Sequence, residues 1–274
     1  MEFSATRKIL VVIFSVIIAF STAITITALI TNSTIASDSY IVKNMVTSAV
    51  TAECEAQLSA KYTVLEAQSG IPKTVFETVK NEYPISDSLT KAFQNVSGSE
   101  SSELYTDDLV DYFDTLCTEY LDGNSMKYQK EYIHNTSEKA AEIFSETVGV
   151  RNLQTLRDRV NEVKDFTLTL IVIAMLSAIV AGLTMSFTFS NKQRAYVCIL
   201  SGISGGAAGT ALGALICRLI HPFASFIILP EIYKSAFISM TDKYFLFVAA
   251  ASAVISVAAW LSMFLTNKRI RKKD

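Results

Sequence analysis

The chain has 274 residues, half of them hydrophobic, with a formal net charge of −2 and four cysteines. The charge balance argues against nucleic-acid binding, and no C-x-x-C metal or redox motif occurs. The hydrophobic residues fall in four runs without a single charged side chain, at 9–31, 166–189, 195–217 and 244–265. About 20 apolar residues rising ~1.5 Å each cross a hydrocarbon core of roughly 30 Å, and a spanning segment must be helical to satisfy its own backbone. These runs predict an all-α membrane protein with four transmembrane helices and one α-helical extracytoplasmic domain between the first and second.

Residues 1–8 form a cytoplasmic N-terminus. Arg7 and Lys8 followed by an apolar run resemble a secretory signal. The run continues through Thr31 without a small-residue cleavage pattern, so it reads as an uncleaved signal anchor.

Residues 32–165 make up the extracytoplasmic domain. This segment holds 12 Lys+Arg against 22 Asp+Glu. Asp38 to Gln68 lacks Pro and Gly, which predicts a stalk continuing the first span, with Ile41, Met45, Ala49 and Ala52 on one face. Gly70-Ile71-Pro72 stops it, Pro72 opens a short helix through Val79, and Pro84 closes that one. A further helix, capped by Ser86 or Asp87, runs to Val96, and Gly98 to Ser102 reads as a loop.

Leu109, Val110, Phe113, Leu116, Cys117 and Tyr120 form an apolar stripe over 106–121, with Gly123 as its cap. Ser137 to Val148 repeats the pattern. A last helix carrying Leu153, Leu156, Val160 and Val163 leads into the second span, 166–189. Tyr62-Thr63-Val64-Leu65 is the one short strand candidate.

Residues 190–194 are a tight cytoplasmic turn before the third span at 195–217. Residues 218–243 form an outer loop, in which the apolar run Leu219 to Leu229 is too short to span and predicts an interfacial or re-entrant segment. The fourth span at 244–265 precedes a basic cytoplasmic tail, 266–274. Positive charge clusters at Arg7 and Lys8, at Lys192 and Arg194, and at Lys268 to Lys273. By the positive-inside rule all three sites face the cytoplasm, as do both termini, and the acidic segment lies outside the plasma membrane.

The most specific pattern lies in the third span. Gly205, Gly209 and Gly213 are spaced by four, and Gly202 and Gly206 form a second pair; small residues at this interval let helix backbones approach closely. Packing within the bundle is one reading, and a sliding or dimerising surface is the other. The second span offers Ala178, Gly182 and Ser186 at the same interval.

No Asp, Glu, Lys, Arg or His falls inside the spans, which argues against an ion or proton pathway. Cys54 and Cys117 can form a disulfide or remain two buried free thiols. Asp107, Asp108, Asp111, Asp114, Glu119 and Asp122 lie at mixed helical spacing, a solvated face and not a calcium loop. Asn32, Asn95 and Asn135 each begin an N-x-Ser/Thr triplet. With only His134 and His221, and no nucleophile, phosphate-loop or zinc motif, no catalytic constellation, cofactor or metal site is expected.

The leading functional expectation is a non-enzymatic membrane protein whose acidic ectodomain binds a protein partner, a ligand or a cell-envelope component. A second comes from layout: one long outer loop, three further spans and a basic turn. With Leu200-Ser201-Gly202 leading into a glycine-rich helix, this is similar to MacB-like and FtsX-like ABC permeases. That resemblance, in topology across the chain and in sequence over 194–213, implies a separate ATPase subunit as partner. A third is a scaffold forming homo-oligomers through the glycine face of the third span.

Overall fold

A computed structural model describes residues 5–94, 107–148, 153–189, 191–222 and 231–271. Every element among them is helical, in the order α1 (Ala5–Ser33), α2 (Asp38–Met45), α3 (Ser48–Ser69), α4 (Lys73–Glu77), α5 (Val79–Glu82), α6 (Ile85–Gln94), α7 (Asp107–Gly123), α8 (Lys130–Val148), α9 (Leu153–Thr188), α10 (Lys192–Ile220) and α11 (Lys234–Arg271), with a 3-10 turn at Glu231–Tyr233. Four helical stretches are long and apolar enough to cross a membrane: Lys8–Ser33, Asp158–Thr188, Lys192–Ile220 and Glu231–Ile270. They are the architecture of a multi-pass membrane protein. The chain divides into two compact units, one of Met1–Ala36, Glu162–Phe223 and Thr241–Asp274, the other of Ser37–Asn161 and Ala224–Met240.

The first unit contains the four spans. Large side chains such as Val12, Phe20, Val172, Leu183, Val254 and Leu261 point outward, the inverse of a soluble protein and the pattern lipid solvation allows. Small and polar residues share the inside with a few large apolar ones, such as Ile18 and Met185. Ser252 and Ala207 are fully buried, and Ser204 and Ser256 exchange hydroxyl-to-carbonyl bonds of 3.2 and 3.0 Å between α10 and α11. Ile18 of α1 packs with Ala181 and Met185 of α9 and with Cys198, Ile199 and Ile203 of α10. Toward the other end, Thr31 and Tyr244 share a buried hydroxyl bond of 2.9 Å, and Thr167 donates to Asn32 at 2.8 Å. These pairings make α1 and α10 parallel, with α9 and α11 antiparallel to them.

The second unit is a helical domain around an aromatic core. Tyr62 and Phe76 are fully buried with centroids 5.4 Å apart, Phe113 lies 6.4 Å from Phe76, and Phe144 closes the core from α8. The Tyr62 hydroxyl donates to the Ala140 carbonyl at 3.3 Å.

Several boundaries differ from expectation. The expected stalk over 38–68 is two helices. Thr47 has extended backbone and its side chain caps α3 by accepting from Val50 N, so the chain breaks between Met45 and Ser48. The break resets the helical phase: the buried face of α3 is Val50, Cys54, Leu58, Tyr62 and Leu65, while Ala49 and Ala52 are exposed. The strand candidate Tyr62 to Leu65 lies within this helix. Gly70 ends α3 at φ 66°, as the Gly-Ile-Pro sequence foretold.

At the end of α7 the left-handed residue is not Gly123 but Ser125, at φ 55°. Its N–H donates to Asp122 O and that of Met126 to Leu121 O, a Schellman closure two residues later. Helix α8 begins at Lys130, seven residues before the expected start at Ser137. Most of the outer apolar run Leu219 to Leu229 lies outside the described residues, as do the loop Gly98 to Ser102 and Asn95; Leu219 and Ile220 are the last residues of α10.

Candidate functional site

The site is built on α10, whose glycines divide between two faces about 60° apart around the helix. Gly202 and Gly206 face α1. A Cβ on Gly202 would lie 2.9 Å from the Ser15 carbonyl oxygen, and one on Gly206 would overlap the backbone of Ala19. These two glycines are packing residues within the chain. Gly205, Gly209 and Gly213 are not: a Cβ at any of them would meet nothing within 4 Å. The five glycines therefore divide, two packed within the chain and three open. Helix geometry puts i, i+4 and i+8 on one ridge, and α1 is wide enough to cover only the neighbouring ridge.

The open ridge forms the floor of an apolar groove of about 450 Å3. One wall comes from Ala19, Phe20, Ala23 and Thr27 of α1, the other from Tyr244, Phe245 and Val248 of α11. Two of its polar groups are engaged: Thr210 donates to the Gly206 carbonyl at 2.8 Å and Tyr244 is bonded to Thr31. No Asp, Glu, Lys, Arg or His lines it. Such a surface can offer van der Waals contact and little else, which suits an apolar ridge and not a polar substrate.

One contributor was missed in the sequence. Ser15, Ala19, Ala23 and Thr27 of α1 are themselves spaced by four, and this small-residue stripe meets the glycines. The signal was legible but lay inside a run read only for its length. By contrast, a Cβ on Gly182 of the second span would lie 3.8 Å from the Ile199 side chain, an ordinary contact, and Ser186 bonds back to the Gly182 carbonyl.

The remaining candidates assemble no reactive centre. Cys54 and Cys117 are free and fully buried in separate surroundings, so no disulfide joins them in this structure. Cys54 Sγ lies 3.9 Å from both the Tyr233 hydroxyl and the Thr147 carbonyl. Burial raises its pKa, partly offset by the Tyr233 hydroxyl. Cys117 lies beside Ser137, and burial pushes its thiol up to about 11. Neither is a nucleophile at neutral pH.

His134 Nδ1 lies 3.1 Å from Asp114 Oδ2, and Nε2 lies 3.5 Å from Glu138. Asp114 therefore bridges α7 to α8, while no group of three or more metal-ligating side chains occurs among the described residues. His221 ends α10 in the left-handed region and lies 3.0 Å from Asp242, a structural position.

Tyr233 is the second residue the sequence did not single out. It follows the third span by only a short connection, yet its ring is buried in the helical domain, 5.6 Å from that of Phe93. No protein family, curated protein or solved structure matches this chain. The geometry is what defines the class: a helical multi-pass protein with an apolar, small-residue groove in its spans.

Proposed function

We propose that this is a non-enzymatic membrane protein that docks a transmembrane helix of a partner protein in the α10 groove. The plasma membrane is its site, with both termini cytoplasmic and the acidic domain outside. The observation that carries the reading is the emptiness above Gly205, Gly209 and Gly213 beside two glycines of the same helix that are tightly packed. A glycine in an exposed helix costs about 1 kcal/mol relative to alanine, so three at one interval call for something that needs the space. The groove is concave, walled by Phe20 on one side and Tyr244 and Phe245 on the other. Two concave copies meeting face to face would leave twin voids, whereas one convex partner helix fills the groove.

The test is native electrophoresis of the full-length protein extracted from its own membranes. Wild type is expected to migrate in a complex with a second membrane protein. Gly209→Leu should insert and unfold as wild type does but migrate alone. A wild-type protein that runs as a lone monomer, or a Gly209→Leu protein that keeps its complex, would overturn the proposal. A complex containing only this chain would replace it with self-association.

A further inference from the structure

Two polar ties of α10 to α11 stand at opposite ends of the groove. Ser204 and Ser256 bond to each other at 3.2 Å. At the other end His221 Nδ1 lies 3.0 Å from Asp242 Oδ1. His221 follows Ser204 by seventeen residues and Asp242 precedes Ser256 by fourteen. At ~1.5 Å per residue, ~21–25 Å of helix separates the two ties. The glycine floor from Gly205 to Gly213 and the wall from Tyr244 to Val248 both fall within that interval. Contact between the helices there is apolar, of Ala214 and Cys217 with Tyr244, Phe245 and Val248. Apolar contact is non-directional, so the ties fix how floor and wall stand to each other.

The wall is held independently, because the Tyr244 hydroxyl is bonded to Thr31 of α1 at 2.9 Å. The floor is held where Gly206 presses on Ala19, fifteen residues before His221. Between those points α10 carries Gly209 and Gly213, and glycine leaves a helix interior less rigid. His221 caps α10 in the left-handed region, at φ 48°, where glycine is the usual residue. That choice puts an imidazole beside Asp242. The Oδ1 of Asp242 is shut off from solvent and accepts no hydrogen bond among the described residues, so a charged imidazole offsets its burial.

We propose that His221 and Asp242 form a proton-operated latch on the groove. With the imidazole protonated, the pair holds the last turns of α10 against the α11 wall. Loss of that proton to solvent, to which His221 is open, releases them. The ionisable side chains at this end of the span unit are Cys217 and Arg218 on α10, Asp242, Lys243 and Tyr244 on α11, and Glu162, Lys164 and Asp165 on α9. Residues 27–36, at the end of α1, contain none. Imidazole is the side chain that ordinarily changes charge between pH 5 and 8.

The test reads a distance in the full-length protein in neutral detergent, with Cys198 and Cys217 replaced by serine. Spin labels go on Ile216→Cys and Phe247→Cys, both exposed positions. Their separation should be longer at pH 8.5 than at pH 5.5. Labels on Leu29→Cys and Phe247→Cys should keep one separation, because Thr31 holds the wall. His221→Gln and Asp242→Asn should give the longer Ile216–Phe247 separation at both pH values, and His221→Lys the shorter. The chain has two histidines, so His134→Gln must leave the response intact. No partner is needed, which keeps this outcome separate from that of the docking proposal.

An Ile216–Phe247 separation that ignores pH would overturn the latch. So would a response that survives in Asp242→Asn, is lost in His134→Gln, or moves the Leu29–Phe247 pair equally. If a latch variant fails to fold, the wild-type pH series, the His134→Gln protein and the Leu29–Phe247 pair decide.

Discussion

Gly206 of α10 lies on Ala19 of α1 so closely that a Cβ on the glycine would overlap the alanine's carbonyl oxygen, carbonyl carbon and α-carbon. All three are backbone atoms, so no rotamer change relieves the clash. Gly206→Ala should therefore destabilise the span unit by about 1–3 kcal/mol or more, the usual cost of overpacking. Gly209→Ala, with open space above it, should be neutral or slightly stabilising, up to about 1 kcal/mol from helix propensity. Thermal unfolding of the two variants in one detergent compares them directly, and equal losses would contradict the two-face description of α10.

Tyr233 should anchor the segment that leads into α11. Its ring is buried against Phe93, and the Tyr40 hydroxyl donates to the Met240 carbonyl at 3.1 Å two turns further on. Tyr233→Ala removes a buried aromatic side chain and is expected to cost about 3–5 kcal/mol. Tyr233→Phe keeps the ring and should cost far less. Hydrogen exchange over α3 and α6 would report the loss; unchanged protection in the alanine variant would count against an anchoring role.

The buried thiols should be inert. In a Cys198→Ser/Cys217→Ser background, Cys54 and Cys117 should resist iodoacetamide at pH 8 in the folded protein and react fully in denaturant. The cause is twofold: no solvent access, and burial that keeps each thiol protonated. Labelling of the native protein within minutes would show that the domain opens readily.

His134 gives the second unit a pH dependence of known sign. Its hydrogen bond to Asp114 raises the imidazole pKa above the ordinary value, with Glu138 and Asp111 adding to it. A raised folded-state pKa means the protonated form stabilises the fold. That contribution is complete below the unfolded value of about 6.5 and is lost as pH climbs through the folded value. His134→Gln should thus lower the thermal midpoint at pH 5.5 and have less effect at pH 8.5. A difference independent of pH would reduce His134 to packing alone.

The proposed orientation is tested by reporter fusions. A fluorescent protein fused after Asp274 should fluoresce, and alkaline phosphatase inserted in 98–102 should be active, as the charge distribution requires. The reverse pattern would invert the proposed topology.

The sequence by itself determined the helical class and the number of membrane-length helices. Those properties follow from local composition: uncharged runs above twenty residues, Gly70 before Pro72, and apolar stripes such as Leu109 to Cys117. It also marked α10 as unusual, because glycines at intervals of four stand out in one dimension.

Which of those glycines are covered was beyond it. Faces 60° apart look identical in a spacing pattern, and only the position of Ala19 decides that Gly206 is packed while Gly209 is open. The break at Thr47 and the burial of Tyr233 were hidden for a related reason. Each depends on a contact partner distant in sequence or on one side chain's choice to cap a helix, and neither leaves a periodic trace. Tertiary structure thus turned one glycine pattern into two surfaces, one packed on α1 and one left open.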